Sequence, residues 1–273
     1  MPFPVAPRSL LRRAEPLLHR LGLPTTKNEL NLVRLRGKHR GKRCFIIGNG
    51  PSLVPGDLDL IAGEVSIACN KIYLIYDQTK WRPTYYCAAD QRVIRGLVED
   101  VPKLEGSTLL ATRECADILR PAASVQFPEL YDNIKFVDYP AEHLQDARFE
   151  FSRNILTGVQ GGWTTMFTML QLAYWMGCDR VFLLGVDHNY PPNANASSRD
   201  YRPAATEKSH FAADYAQFKV PVDAPMLHLT TAAFGSAWQV FKADGRVLLN
   251  ASRRTQLSAV PRIALEDALR LQA

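Results

Sequence analysis

Residues 44–53, CFIIGNGPSL, run from an apolar stretch into a glycine-rich break, Gly48-Asn49-Gly50-Pro51-Ser52. Glycines let a backbone approach a phosphate closely, and N–H groups at a helix start favour an anion. The break has no lysine, so the γ-phosphate grip of a P-loop is absent. It also lacks the third glycine of the dinucleotide fingerprint. Asn49 and Asn70 are neutral amides that both donate and accept, which suits a pyrimidine edge, a ribose hydroxyl or a phosphate oxygen. Four further residues with chemistry, His188, Tyr190, His210 and Tyr215, fall within one stretch. Histidine is the natural general base near neutral pH. Asp90 and Asp187 could supply carboxylates to Mg²⁺ or could cap structure.

These residues need elements to position them. Seven runs read as strands: 43–48, 65–70, 85–90, 107–112, 134–139, 181–187 and 246–252. They are apolar almost throughout, as expected for strands buried on both faces. Helices are expected over 163–177, 230–243 and 91–102. The first is apolar nearly all round and stops at Gly177. Strands alternating with helices predict an α/β fold with a doubly wound, mostly parallel Rossmann-like sheet. Ligands of such sheets bind at the carboxyl ends of the strands. The loop after the first strand, Asn70, Asp90 and Gly185-Val186-Asp187 all lie at such ends. Thr157-Gly158, Gly161-Gly162 and Thr164 lead into the 163–177 helix and should join them. Residues 188–228 have no strong period and many Pro, Asn and Ser. A connection this long in a compact domain reads as a lid inserted after the strand that ends at Asp187.

Composition bounds the class. An apolar content of 47% and a charged content of 22% fit a folded globular chain rather than a disordered one. No apolar run is long enough to span a membrane, and the N-terminus is not a secretory signal. Five scattered cysteines, none in a CxxC pair, read as buried reduced thiols. The net charge of +6 is uneven. Residues 1–43 hold 11 Lys/Arg against 2 Asp/Glu, whereas the rest holds 22 against 25. The chain therefore divides into a basic arm, 1–40, and a single nucleotide-binding domain, 41–273. Pro16 should interrupt the leucine–arginine pattern of the arm. Such an arm suits an anionic membrane surface. Nucleic acid is not expected, because no binding motif or aromatic–basic ladder accompanies the charge.

The order of IIGNGPSL, ACN, a glycine/threonine turn before LAYWMGC, VFLLGVD and a histidine-bearing insert resembles the bacterial sialyltransferases that use CMP-activated sugars. It resembles still more closely their relatives with the MptE-like Rossmann domain, a domain shared with archaeal hydroxymethyldihydropterin diphosphokinases. The resemblance runs from about residue 36 to about residue 260. It implies a glycosyltransferase taking a CMP-linked sugar to a surface glycan or lipid-linked acceptor, with no cofactor required. By resemblance, Gly48, Asn49, Gly50, Ser52, Asn70 and Asp90 would serve the nucleotide. Thr157, Gly158, Gly161, Gly162 and Thr164 would line the acceptor or nucleotide pocket. His210 would be the base, with His188 as its rival. Tyr190, Tyr201 or Tyr215 would hold the leaving phosphate, and Asp187 would belong to the catalytic set. The sialyltransferases carry a second histidine three residues on, where this chain has Ala213. Their tyrosine after the aspartate falls at Asn189 here, one residue before Tyr190. The competing readings are a Mg²⁺-dependent diphosphokinase using Asp90 and Asp187, and a non-catalytic nucleotide-binding module. The expected location is cytoplasmic, peripheral at the inner membrane face. A homo-oligomer stays open.

Overall fold

The computed structural model describes residues 8–120, 130–134, 136–137, 149–190, 210–212, 215 and 226–271. Among them, nine strands and eight α-helices follow in order: α1 (Arg8–Arg20), α2 (Lys27–Leu35), β1 (Arg43–Ile47), α3 (Pro55–Leu60), β2 (Val65–Cys69), β3 (Tyr85–Ala88), α4 (Gln91–Arg95), β4 (Thr108–Thr112), α5 (Arg113–Leu119), β5 (Leu130–Ile134), β6 (Phe136–Val137), β7 (Val159–Gln160), α6 (Thr165–Trp175), β8 (Arg180–Leu184), α7 (Leu227–Ala243), β9 (Val247–Asn250) and α8 (Leu265–Arg270). Seven strands form one sheet in the order β5-β4-β3-β2-β1-β8-β9, and every neighbouring pair is parallel. β6 and β7 pair separately. This is the doubly wound architecture that the alternating pattern predicts.

The two faces of the sheet follow from the period of two along each strand. Cys44 and Ile46 of β1, with Val181 and Leu183 of β8, point to the side that packs α2, α6 and α7. Phe45 and Ile47, with Phe182 and Leu184, point to the opposite core with Leu58, Val93, Cys115 and Leu265. Both sides of the central strands are thus covered, which is why those strands read as continuous apolar runs. α6 is buried at every position from Met166 to Ala173. It is closed by Gly177 at φ 81°, where a Cβ would lie 2.9 Å from Gly37 Cα.

Three expectations change. The helix expected over 91–102 is two pieces. α4 ends at Gly96, and a 3₁₀ segment, Val98–Leu104, follows and contains Pro102. Pro102 removes a backbone donor, which favours the short 3₁₀ form there. Secondly, α1 continues through Pro16. Thirdly, the arm is built into the body. Leu32 and Leu35 are in the core. Trp175 Nε1 donates to Leu32 O at 2.8 Å, and Gly37 N donates to Trp175 O at 3.0 Å. A boundary at residue 40 would cut through packed structure. Residues 1–7 lie outside the described residues, as do 135 and 138–139 of the expected fifth strand, whose described residues fall to the end of β5 (Ile134) and to β6.

All five cysteines are free and buried. Burial raises the thiols of Cys44, Cys69 and Cys87, so they stay protonated and inert. Among the described residues, no helix is long and apolar enough to cross a membrane.

Candidate active site

After β1 the chain winds outward through β2, β3, β4 and β5, then returns to place β8 on the other side of β1. The loops leaving β1 and β8 therefore diverge and leave a crevice at the carboxyl ends, the usual ligand position of such sheets. A cleft opens there, with about 620 Å³ of space when its open mouth is included. Its lining comes from the β1 loop (Gly48, Asn49, Gly50), Asn70 after β2, the start of α6 (Thr164, Thr165, Met166) and residues 185–190 after β8. His210 and Tyr215 of the 188–228 insert close one side, and Thr230 and Phe234 of α7 form another wall.

The glycines of the β1 loop serve the approach of two chain segments. Gly48 N donates to Leu184 O and Gly50 N donates to Gly185 O, both at 2.8 Å. A Cβ on Gly48 would lie 2.4 Å from Gly185 O, and one on Gly50 would lie 2.7 Å from both Gly185 O and Asp187 Cγ. Ser52 donates its N–H to Asp187 Oδ2 at 2.6 Å and its hydroxyl to Asp187 Oδ1. An internal carboxylate thus takes the donors that a bound phosphate would otherwise claim. Ser52 is buried behind the cleft rather than lining it. Burial raises the Asp187 carboxyl, and the two Ser52 donors work against that shift.

Asn49 is different. Its Nδ2 makes a long 3.4 Å bond to Cys69 O, while its buried Oδ1 has no partner among the described residues. A buried acceptor left unmade is costly, so a ligand donor belongs there. Asn70 and His188 hold φ of 55° and 53°, and Trp163, just before Thr164, holds 56°. Left-handed backbone at non-glycine residues costs about 1–3 kcal/mol each and clusters at functional sites. Among the described residues all three such residues sit at or beside one cleft.

The histidines occupy distinct settings. His188 Nε2 lies 2.8 Å from Thr231 Oγ1, and that hydroxyl donates to Leu227 O at 2.8 Å. A hydroxyl has one proton, so Nε2 carries the hydrogen in this chain and Nδ1 is the basic nitrogen. Burial lowers the His188 pKa. His210 stacks on Tyr215, with ring centroids 3.9 Å apart and planes 10° from parallel, and Tyr190 meets it edge-on at 6.2 Å. Burial first, and then the Lys71 ammonium, lower His210 to about 4. The insert is tied down by Phe211 N donating to Asn49 O at 3.0 Å and by Lys71 Nζ donating to Tyr215 O at 2.9 Å. Residues 191–209, 213–214 and 216–225 of the insert lie outside the described residues.

α6 begins at the cleft. Thr164 caps it by accepting from Met166 N at 3.3 Å, so the positive end of an eleven-residue helix faces the crevice. The residues ahead of it do not reach the cleft. Thr157 donates to Asn154 O at 2.7 Å and is exposed. Gly162 is required by its φ of 56° and by the Phe167 ring 2.6 Å from where a Cβ would stand. Neither it nor Gly158 or Gly161 lines the cleft. Asp90 is also elsewhere. It caps α4, accepting from Arg92 N at 2.9 Å and Val93 N at 3.2 Å. The aspartate pair suggested for Mg²⁺ is already engaged elsewhere: Asp90 caps α4, and Asp187 binds Ser52 of the β1 loop. Thr230, Thr231, Phe234 and Lys71 complete the site without a sequence signal; only the fold brings them there.

No protein-family model and no curated protein matches the chain. In fold it is similar to the MAf glycosyltransferase from Magnetospirillum magneticum AMB-1, with a TM-score of 0.52 and 16% identity over 90% of this chain. The chain spans 40% of the length of that protein, so the likeness is one of fold.

Proposed function

We propose that the chain is a glycosyltransferase that takes a nucleotide-activated sugar, CMP-linked, in the cleft between β1 and β8. The observation that carries this reading is the cleft's chemistry. It joins neutral amides and hydroxyls, one orphaned acceptor at Asn49, a helix N-terminus and an oriented histidine at the switch point of a parallel sheet. The fold likeness to a glycosyltransferase supports it. A nucleoside offers donors to Asn49 Oδ1 and an edge to Asn70. The departing phosphate takes the Thr164 end of α6, where N–H groups and the helix dipole favour negative charge. The phosphate of the Ser52 turn is already replaced by Asp187, so that turn is not assigned to the ligand.

In the transfer, an acceptor hydroxyl gives its proton to a histidine as its oxygen bonds to the anomeric carbon. The bond from that carbon to the phosphate oxygen breaks, and its electron pair leaves with the CMP. His188 is the better base. Its Nε2–H is oriented by Thr231, leaving Nδ1 to accept the proton, as in other base-plus-orienter pairs. His210, held near 4 and stacked on Tyr215, is the weaker base, and we assign it and Tyr190 to shaping the closed side of the cleft. The acceptor is a surface glycan or a lipid-linked sugar. A diphosphokinase reading gains no support from Asp90 and Asp187, the first capping α4 and the second binding Ser52 of the β1 loop. Incubation with CMP-sugars, read by release of CMP, tests the proposal. Release that Thr231→Val and His188→Ala both slow supports it; ATP consumption with no CMP release would replace it.

A further inference from the structure

We propose that the outer face of the α1–α2 hairpin is a preformed docking surface for an anionic lipid membrane. The inference stands apart from the reading of the cleft. Leu17, Leu21, Leu23 and Leu30 are 61, 63, 48 and 44% exposed. They make up four of the seven large apolar residues that are exposed among the described residues, gathered in one hairpin. In α1 the exposed positions 13, 17 and 20 share one helical face, which Leu21 just beyond its end continues through its N–H to Leu17 O, and 27, 30 and 34 share one in α2. Leu17 and Leu21 are thus flanked by Arg13 and Arg20, and Leu30 by Lys27 and Arg34.

The inner face explains why this surface is fixed and one-signed. The two acidic residues of the first 43 both turn to His19. Glu29 Oε2 lies 3.0 Å from Nε2, and Glu15 Oε1 lies 3.9 Å from Nδ1. Asn154 Nδ2 donates to His19 O at 2.6 Å, and Leu32 and Leu35 enter the core. The exposed residues from Arg13 to Arg34 are then leucines, cations and the uncharged Pro16, Thr26 and Asn28, with no acid among them. Leucines entering the acyl boundary and Arg/Lys at the headgroups match an anionic bilayer. A second copy fits worse, because symmetric pairing would set like charges against each other. Nucleic acid would leave the leucines without a role.

Sedimentation of the full chain with phosphatidylcholine vesicles, with and without phosphatidylglycerol, tests this. Binding should need the anionic lipid and weaken with salt. The triple variant Leu17→Ser, Leu21→Ser, Leu30→Ser should lose at least about tenfold in partition. Arg13→Gln with Lys27→Gln should lose about fivefold for each charge. All these side chains are exposed, so circular dichroism and CMP affinity should not change. Wild-type binding independent of phosphatidylglycerol, or variants that sediment like the wild type, would overturn the proposal. So would a concentration-dependent dimer of the wild type, lost in the leucine variant, without vesicle binding.

Discussion

Asp187, in the loop that leaves β8, holds Ser52 of the β1 loop by accepting both its backbone N–H, at 2.6 Å, and its hydroxyl. This bond joins the two segments that diverge at the switch point. It sets the depth of the crevice and turns a loop that looks like a phosphate cradle into a brace.

Replacing Asp187 should therefore act on stability before chemistry. Asp187→Ala leaves the Ser52 N–H and hydroxyl buried without an acceptor, at about 1–3 kcal/mol for each unmet group. Urea unfolding should show the loss. An unchanged midpoint with a large fall in turnover would make Asp187 a reacting group instead.

Gly50 answers to the same contact. A Cβ there would meet Gly185 O and Asp187 Cγ at 2.7 Å. Gly50→Val should cost about 1–3 kcal/mol or more by overpacking, so lost ligand binding in that variant would follow from a displaced loop. A variant as stable as the wild type that failed to bind CMP would return the glycine to a phosphate role.

The two histidines separate kinetically. His188→Ala should lower turnover by about 10²–10⁴ with little change in donor affinity, as expected for a lost general base. His210→Ala should mainly weaken binding, because the Tyr215 stack and the closed side of the cleft are disturbed. Thr231→Val should repeat a part of the His188 effect. The reverse ranking, measured at saturating donor, would move the base to His210.

Buried neutral histidines also set an acid limit. His39 and His210 are both lowered to about 4, in each case first by burial and then by neighbouring lysine charge. The unfolded chain takes up protons below its ordinary value of about 6.5, while the folded chain resists until about 4. The unfolded state binds more protons in that window, so stability should fall as pH drops through it and level off above it. Melting temperatures from pH 7 down to pH 4 would show this slope, and His39→Gln should flatten it. A variant that keeps the full wild-type slope would remove His39 from the explanation.

How much of this was legible follows from the physics of each element. Strands buried on both faces leave long apolar runs, so β1, β2, β3, β4, β8 and β9 are readable with ends shifted by a residue or a few. Asn49, Asn70, Thr164, His188, Tyr190 and His210 sit at strand or helix ends or in the insert, and position alone brings them to the cleft. Asp90 and Ser52 share that kind of position, yet Asp90 accepts from the local N–H groups of α4 and the Ser52 hydroxyl donates to Asp187, a choice decided by rotamer and not by sequence. Thr230, Thr231 and Phe234 stand one or two turns into α7, where a polar or aromatic residue looks like any other helix position. The packing of α2 was hidden by its charge. Its two basic residues, Lys27 and Arg34, lie outward within a basic stretch of sequence, while Leu32 and Leu35, with Glu29, carry the burial.

The cleft itself is tested most directly by calorimetry of CMP with the wild type and with Asn49→Ala. One saturable site per chain is predicted, weakened at least about tenfold by the loss of the Asn49 acceptor, since a hydrogen bond lost from a buried site costs about 1–3 kcal/mol. No saturable binding, or equal affinity in the two proteins, would contradict a nucleotide site between β1 and β8.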